Sequence, residues 1–325
     1  MRFAHCSDLH LAALEGIRLR DLLGKRLVGY SSWHGGRKRR HRTEILTSLA
    51  ADLKAQRPDH VLVTGDLTNL GLPREYRRAR AFLEALGSPQ AVTVVPGNHD
   101  AYVATPFATT LAQWWPYLRG DKAPATPPDA GGLAAFPSLR IRANLAFIGL
   151  SSARPAPVGF ATGAIGQPQL QALETLLQDT RAKGLVRILH LHHPPLAGAV
   201  AFHKRLVDAA ALRQCLARAG VELVLHGHAH RFSVETLATA TGIAPVVGIA
   251  SASASHSAGP HRAQYGLYQL EATGHSLTFT PRHLTPEGHW QPGEVHRFSL
   301  PIPKGHTGPG TVEGDGQQGE EQRGG

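Results

Sequence analysis

An α/β fold is predicted for this chain, and three observations predict it. Short apolar runs alternate with segments of helical periodicity over most of the 325 residues. Five of those runs end in a short loop carrying Asp, Asn or His, the place where ligands gather in α/β sheets. A hydrophobic content of 42% is enough for a sizeable core, so disorder does not describe the chain as a whole.

The elements follow in order. Residues 2–7 read as a first strand, and residues 11–42 as a long connection rich in Gly, Arg and Ser. Ile45, Leu46, Leu49 and Leu53 recur at helical spacing, and Pro58 ends that helix. Residues 60–64 form a buried strand closed by Gly65 and Asp66. A helix is expected over 73–86, with Pro73 in the first turn, where its missing N–H costs nothing. Residues 91–95 form another buried strand, closed by Pro96-Gly97-Asn98-His99-Asp100. Residues 120–138 read as an irregular surface excursion and 143–150 as a strand. Pro168 opens a helix with Leu170, Leu173, Leu176 and Leu177 on one face. Residues 185–191 are a strand closed by His192-His193-Pro194-Pro195. A helix over 206–219 precedes a strand over 221–225, closed by His226-Gly227-His228-Ala229-His230. The rest, to about residue 300, reads as antiparallel strands and turns. One domain over 1–303 is expected, with an insertion at 11–42, followed by a disordered tail over 304–325 that has no apolar pattern.

Composition narrows the function classes. The two cysteines, Cys6 and Cys215, lie far apart and make no disulfide framework, which suits a reducing cytosol; each is expected to pack as a small core residue. No signal-like apolar segment opens the chain, and no run approaches eighteen apolar residues, so a cytoplasmic location without a transmembrane segment is expected. The net charge is +10, and Arg18, Arg20, Lys25, Arg26, Arg37, Lys38, Arg39, Arg40 and Arg42 concentrate in one early segment. Such a cluster attracts anions: a phosphorylated substrate, nucleic acid or a lipid surface.

The loops at the strand ends carry the chemistry. Asp8 and His10 are two apart and would project to one side of a strand, gripping one ion. Asp66 follows a glycine that permits a sharp turn, and its two oxygens can bridge two cations. Either pattern alone is also an ordinary polar turn. Gly97-Asn98-His99-Asp100 is more specific: Asn98 offers a neutral oxygen, His99 can donate a proton, and Asp100 can orient its ring. Of the adjacent His192 and His193, at most one is a ligand, and His192 is chosen. His228 and His230 face one way, with His226 packed at the strand end. Carboxylate, amide oxygen and imidazole suit Mn, Fe, Zn or similar divalent ions, and the donors outnumber what one tetrahedral ion needs. Two ions sharing a carboxylate account for the surplus.

These five blocks, in this order over about residues 1–231, resemble the calcineurin-like metallophosphoesterase family. The resemblance implies a four-layer αββα sandwich of two mixed sheets flanked by helices. It implies that one ion takes Asp8, His10 and His230, the other Asn98, His192 and His228, and that Asp66 bridges them. It further implies that a metal-bridging hydroxide attacks phosphorus while His99, with Asp100, protonates the departing oxygen. A phosphodiester or nucleotide-like small molecule is the expected substrate. The segment 37–42 is placed near the cleft, with Tyr30 and Trp33 as candidates for stacking on a base or meeting a lipid interface. A nuclease on the same centre is the alternative. A non-enzymatic scaffold is disfavoured, because every expected position is filled.

Overall fold

The first strand shows how the layers arise. In β1 (Arg2–Cys6), Ala4 and Cys6 turn toward helices, while Phe3 turns toward a second sheet. Both faces are apolar because both are covered, as parallel sheets require. The computed structural model describes residues 1–300 except 12, 128–134, 256–258, 272–273 and 275. The expected tail over 304–325 lies outside the described residues.

The first sheet runs parallel from β1 through β2 (His60–Val63) to β3 (Val92–Val94). On its other side come β10 (Gln264–Leu270) and β11 (Ser276–Leu284), each antiparallel to its neighbour. Strands β12 (Trp290–Pro292) and β13 (His296–Ser299) both pair with β11. The second sheet has the order β4 (Ser138–Arg142), β5 (Leu145–Gly149), β6 (Val186–His190), β7 (Leu223–His226), β9 (Gly242–Gly248), β8 (Ser233–Thr239). Strands β5, β6, β7 and β9 are parallel.

Phe3, Leu62, Phe147, Ile188, Leu225 and Phe279 fill the space between the sheets. Leucines of α3 (Thr43–Gln56) and Tyr76, Ala79 and Leu83 of α4 (Pro73–Leu86) cover the first sheet. The second is covered by α6 (Gln167–Ala182) and α7 (Ala209–Ala219), where Cys215 is packed. This is the expected sandwich of two mixed sheets between helices.

Four details differ from the sequence reading. The 11–42 connection folds into α1 (Lys25–Ser32), a kinked stretch over Trp33–Arg37, and α2 (Lys38–Arg40). The second of the covering helices starts at Ala209, not at 206. Strand β9 joins its sheet in parallel, although the C-terminal part reads as antiparallel. The excursion over 120–138 gives up its end to β4, whose sequence Ser-Leu-Arg-Ile-Arg lacks an apolar run. Arg140 is buried there because its guanidinium donates to the carbonyl oxygens of Pro89, Val92, Pro116 and Arg119. The intervening α5 (Trp115–Leu118) supplies one of these carbonyls.

A second buried cation ties the other half together. Arg187 on β6 donates through Nε to Glu222 at 2.9 Å and through Nη1 to the carbonyls of Leu177 and Ala219, near the ends of α6 and α7. Both partners of this ion pair are fully buried. Removing one leaves the other charged in a dry interior, so Glu222→Ala should lower stability by about 3–5 kcal/mol. Urea unfolding followed by circular dichroism measures it; a change under about 1 kcal/mol would mean that the pair behaves like a surface contact.

Candidate metal centre

Five strand ends meet at one seam between the sheets. The first sheet brings Asp8, Asp66 and Asn98 from beyond β1, β2 and β3, and the second brings His192, His228 and His230 from beyond β6 and β7. The loops are zipped by backbone bonds: Asp8 N–H to Gly65 O and His10 N–H to Asp66 O, both at 2.9 Å, and Gly227 N–H to His192 O at 3.1 Å.

Glycine is required where the loops touch. A methyl group at Gly97 would strike the Asp66 carboxylate, and one at Gly227 would strike Ser7 and Asp8. Left-handed backbone concentrates here as well. Of seven non-glycine residues with positive φ among those described, five are Asp8 (55°), His10 (45°), Asp66 (54°), His228 (66°) and His230 (51°). Such strain collects at functional sites. It also corrects the sequence reading, which put Asp8 and His10 on one side of a strand. Strands β1 and β7 stop at Cys6 and His226, and alternate left-handed residues bring each pair of side chains round.

The two carboxylates divide their oxygens in the same way. Asp8 Oδ2 accepts the His228 N–H at 3.0 Å, leaving Oδ1 without a hydrogen bond, 3.0 Å from His230 Nε2. Asp66 Oδ1 accepts the His99 N–H at 2.7 Å, and Oδ2 lies 3.4 Å from His192 Nε2. The histidines are fixed from behind. His192 Nδ1 lies 2.7 Å from Thr64 O, His10 Nδ1 3.3 Å from Thr68 O, and His228 Nε2 2.8 Å from Lys204 O. A carbonyl oxygen only accepts, so each of those nitrogens carries the proton and the opposite nitrogen presents a lone pair.

Those lone pairs face one another. His228 Nδ1 and His192 Nε2 are 3.2 Å apart, His10 Nε2 and His230 Nε2 3.4 Å, and His192 Nε2 is 3.2 Å from Asn98 Oδ1. The ligand atoms of Asp8, His10, Asp66 and His230 all lie within 4.8 Å of one another, as do those of His192, His193 and His228. Converging lone pairs and carboxylate oxygens repel unless positive charge lies among them, so the donor set fits divalent cations. The protein shows the same demand in its acidities. Burial opposes ionisation of Asp8, but His230 and His192 hold its carboxyl down to about 2. Burial likewise opposes a charged His192, yet Asp66 and Asp8 push it up to about 9, so that with no cation among these groups a proton takes the Nε2 lone pair that a cation would claim.

His193 is buried with both ring nitrogens engaged, by Ser152 Oγ at 2.7 Å and Ala161 O at 3.2 Å, and has no lone pair to offer. His226 packs at its strand end, with Nδ1 on Gly227 O. Asp100 does not touch the His99 ring. Its carboxylate accepts the N–H groups of Thr68 and Gly97, each at 2.9 Å, and so fastens two of the loops together. Burial and the charge of Asp66 raise its pKa to about 7. The His99 ring is oriented by Asn69 instead: Nδ1 donates to Asn69 O at 2.6 Å, and Nε2 accepts from Arg37 Nη2 at 3.0 Å. Burial and the neighbouring Arg37 lower the His99 pKa to about 3.

Sequence reasoning missed several neighbours. His41 stands 4.3 Å from the His10 ring, with Nδ1 2.9 Å from Ser253 Oγ. Ser251 and Ser253 donate to the Asp8 carbonyl. Nothing in a run of Ser and Ala signals this. The basic segment 37–42 does reach the site, through Arg37 and His41. Trp33 does not: it is buried with Leu14, Leu22, Leu70 and Tyr102, where it anchors the insertion. A cavity of about 630 Å3 opens over Asp66, Asn98, His99 and His228, with Arg37, Arg40 and Lys204 at its walls.

A family model described as calcineurin-like phosphoesterase matches residues 1–232. The chain is 30% identical over 196 residues to the glycerophosphodiester phosphodiesterase GpdQ of Enterobacter lignolyticus (strain SCF1), covering 60% of this chain and 58% of that protein. It is 33% identical over 200 residues to the cAMP/cGMP dual specificity phosphodiesterase MT0825 of Mycobacterium tuberculosis, covering 60% and 54%. The chain thus spans just over half the length of these curated relatives. Among solved structures, a dimetal phosphatase from Danio rerio superposes with a TM-score of 0.56 at 15% identity, covering 92% of this chain and 98% of that one. A purple acid phosphatase from yellow lupin gives 0.53 at 13% identity, covering 92% and 53%. Both likenesses are of fold.

The geometry gives Asp66 contacts to both groups of imidazoles, whereas Asn98 meets one. Asp66→Ala should therefore cost more bound metal per chain than Asn98→Ala, read by elemental analysis of protein purified in Mn or Zn. Equal metal content in the two variants and the parent would contradict the arrangement.

Proposed function

Because the chain belongs to the calcineurin-like phosphoesterase family, we propose that it hydrolyses phosphoesters with two divalent cations at this seam. Asp8, His10 and His230 would hold one cation, Asn98, His192 and His228 the other, and Asp66 both. The observation that carries the reading is the divided carboxylate. Asp8 and Asp66 each spend one oxygen on a backbone N–H and aim the other at imidazole nitrogens. A bound pair of divalent cations supplies Lewis-acid polarisation of the phosphoryl group and a water acidic enough to attack near neutral pH. The ion identity is left among Mn, Fe and Zn by a donor set of carboxylate, amide and imidazole.

The remaining work belongs to side chains of this protein. Arg37 lies beside His99 at the cavity wall and offers a guanidinium to phosphoryl oxygens. His99 keeps its Nδ1 proton on Asn69 O, and its Nε2, which accepts from Arg37 in this structure, lines the cavity. For His99 to protonate the departing oxygen, Arg37 would turn to the phosphoryl oxygens and Nε2 would first take up a proton from solvent. Asp100 is a positioning residue here, through Thr68 and Gly97. Arg40 and Lys204 widen the cationic wall beyond a single phosphate. A phosphodiester or nucleotide-like substrate is in line with the names of the relatives.

A hydrolysis panel tests the reading: p-nitrophenyl esters, cyclic nucleotides, glycerophosphodiesters, nucleotide-sugar pyrophosphates and DNA, each with Mn, Fe, Zn and Mg. Chelation should abolish turnover and divalent metal restore it; full turnover in exhaustively chelated protein overturns the proposal. His99→Ala should keep its metals and lose about 10²-fold or more in kcat, most with poor leaving groups.

A further inference from the structure

The apolar side chains that the fold leaves outside are not scattered. Of twelve large hydrophobic side chains standing exposed among the described residues, eight fall in two groups, residues 19–28 and the turns at 158–160 and 202–207. Leu19 is 87% exposed, Leu23 76% and Phe202 68%, with Leu27, Val158 and Phe160 also well exposed. Single exposed leucines need no explanation, whereas a group of them does.

The two groups are joined in space. Lys25 Nζ donates to Ala156 O at 2.9 Å and to Phe160 O at 3.3 Å. Ala161 N–H donates to His203 O at 2.8 Å, which ties the Phe160 loop to the Phe202 turn. Both groups reach the mouth of the site: Ser32, the last residue of α1, lines the cavity, as do Ala161 and Lys204. The exposed apolar group therefore stands beside the entrance, not on a remote face.

Its surroundings are cationic. From residue 18 to residue 42 the chain has nine Lys and Arg and one acidic residue, Asp21. Arg18, Arg20, Lys38, Arg39, Arg40 and Arg42 are exposed, whereas Lys25, Arg26 and Arg37 are bonded inward. Asp21 is already paired with Arg74 at 3.0 Å. Across the mouth, the Arg205 guanidinium lies over the Phe202 ring, 4.2 Å from its centre. Apolar side chains that project from a basic surface match the two parts of an anionic bilayer, acyl chains beneath and phosphate headgroups above. A second copy of the chain fits less well, since a symmetric contact would set this basic surface against itself.

We propose that this face docks on an anionic lipid bilayer, with Leu19, Leu23, Leu27, Phe160 and Phe202 entering the interface and Arg18, Arg20 and Arg205 meeting headgroups. Docking in this pose places the cavity mouth at headgroup level. The corollary rests on the hydrolase reading above: the phosphoester would then belong to an amphiphile presented by the membrane.

Flotation with vesicles tests the docking. Full-length protein is mixed with phosphatidylcholine vesicles, with or without about one-third phosphatidylglycerol, at low salt and in 0.5 M NaCl (order-of-magnitude conditions). A Leu19→Ser/Leu23→Ser/Leu27→Ser variant runs beside it. All three positions are exposed, and turnover of soluble bis(p-nitrophenyl) phosphate, or the circular dichroism spectrum should that ester not be a substrate, reports that the variant is folded. The expected result is binding to the anionic vesicles that weakens in salt and falls about tenfold or more in the variant. Absence of binding to anionic vesicles, or equal binding by variant and parent, overturns the proposal. So does a dimer seen by light scattering that the three substitutions dissolve without any vesicle binding. Vesicle binding with no turnover of any phosphoester leaves the docking standing and removes the hydrolase reading, so the two fail separately.

Discussion

The whole centre depends on one constraint, the splitting of each buried carboxylate between backbone and cavity. Asp8 rises from the first sheet and accepts an N–H from His228 on the second. His192 returns the contact, donating from the second sheet to Thr64 O on the first. These bonds close the seam between the sheets at the point where donors must converge. They also fix which oxygen and which ring nitrogen remain for a ligand. A carboxylate free to rotate would satisfy both oxygens locally, and the imidazoles behind it would lose their orientation. The arrangement that shapes the site is thus the arrangement that clamps the sandwich, and Gly97 and Gly227 are required by both.

Much of this was legible in the sequence. Alternating apolar runs and helical spacing located most of the elements that carry the site, because covered strands and amphipathic helices leave periodic traces. The donors were visible because Asp, Asn and His are unusual closures for apolar strands. What was not legible has a physical reason in each case. Strand β4 hides because its burial is achieved by an arginine that satisfies four carbonyl groups, not by apolar residues. The parallel pairing of β9 depends on a crossover that periodicity does not encode. Asp100 follows His99 in sequence, and adjacency suggested contact. The chain turns so that Asn69, thirty residues away, meets the ring instead. His41 looked like one more member of a basic run, and only its bridge to Ala254 brings it beside His10.

The insertion is not a loose appendage. Trp33 and Leu22 sink into an apolar cluster with Leu70, Leu72 and Tyr102, on the loops that follow β2 and β3. Arg26 adds bonds to the carbonyls of Leu70 and Gly71. A methyl group on Gly29 would collide with Leu70 and Tyr102, so the helix is seated as closely as a helix can be. This anchoring holds Arg37 against His99 and keeps the outer leucines of the same segment in water. One stretch of chain faces inward to the candidate metal centre and outward to solvent.

The left-handed residues of the centre set two selective pressures against each other. A side chain at positive φ costs about 1–3 kcal/mol, which glycine would avoid. Asp8, His10, Asp66, His228 and His230 all bear that cost. At Asp8 and Asp66 glycine would also remove the carboxylates that fasten the seam, so the relief of strain is offset there. At His230, whose half-exposed side chain fastens no backbone, glycine relieves strain at the expense of a donor alone, so thermal tolerance and metal binding part company at that position.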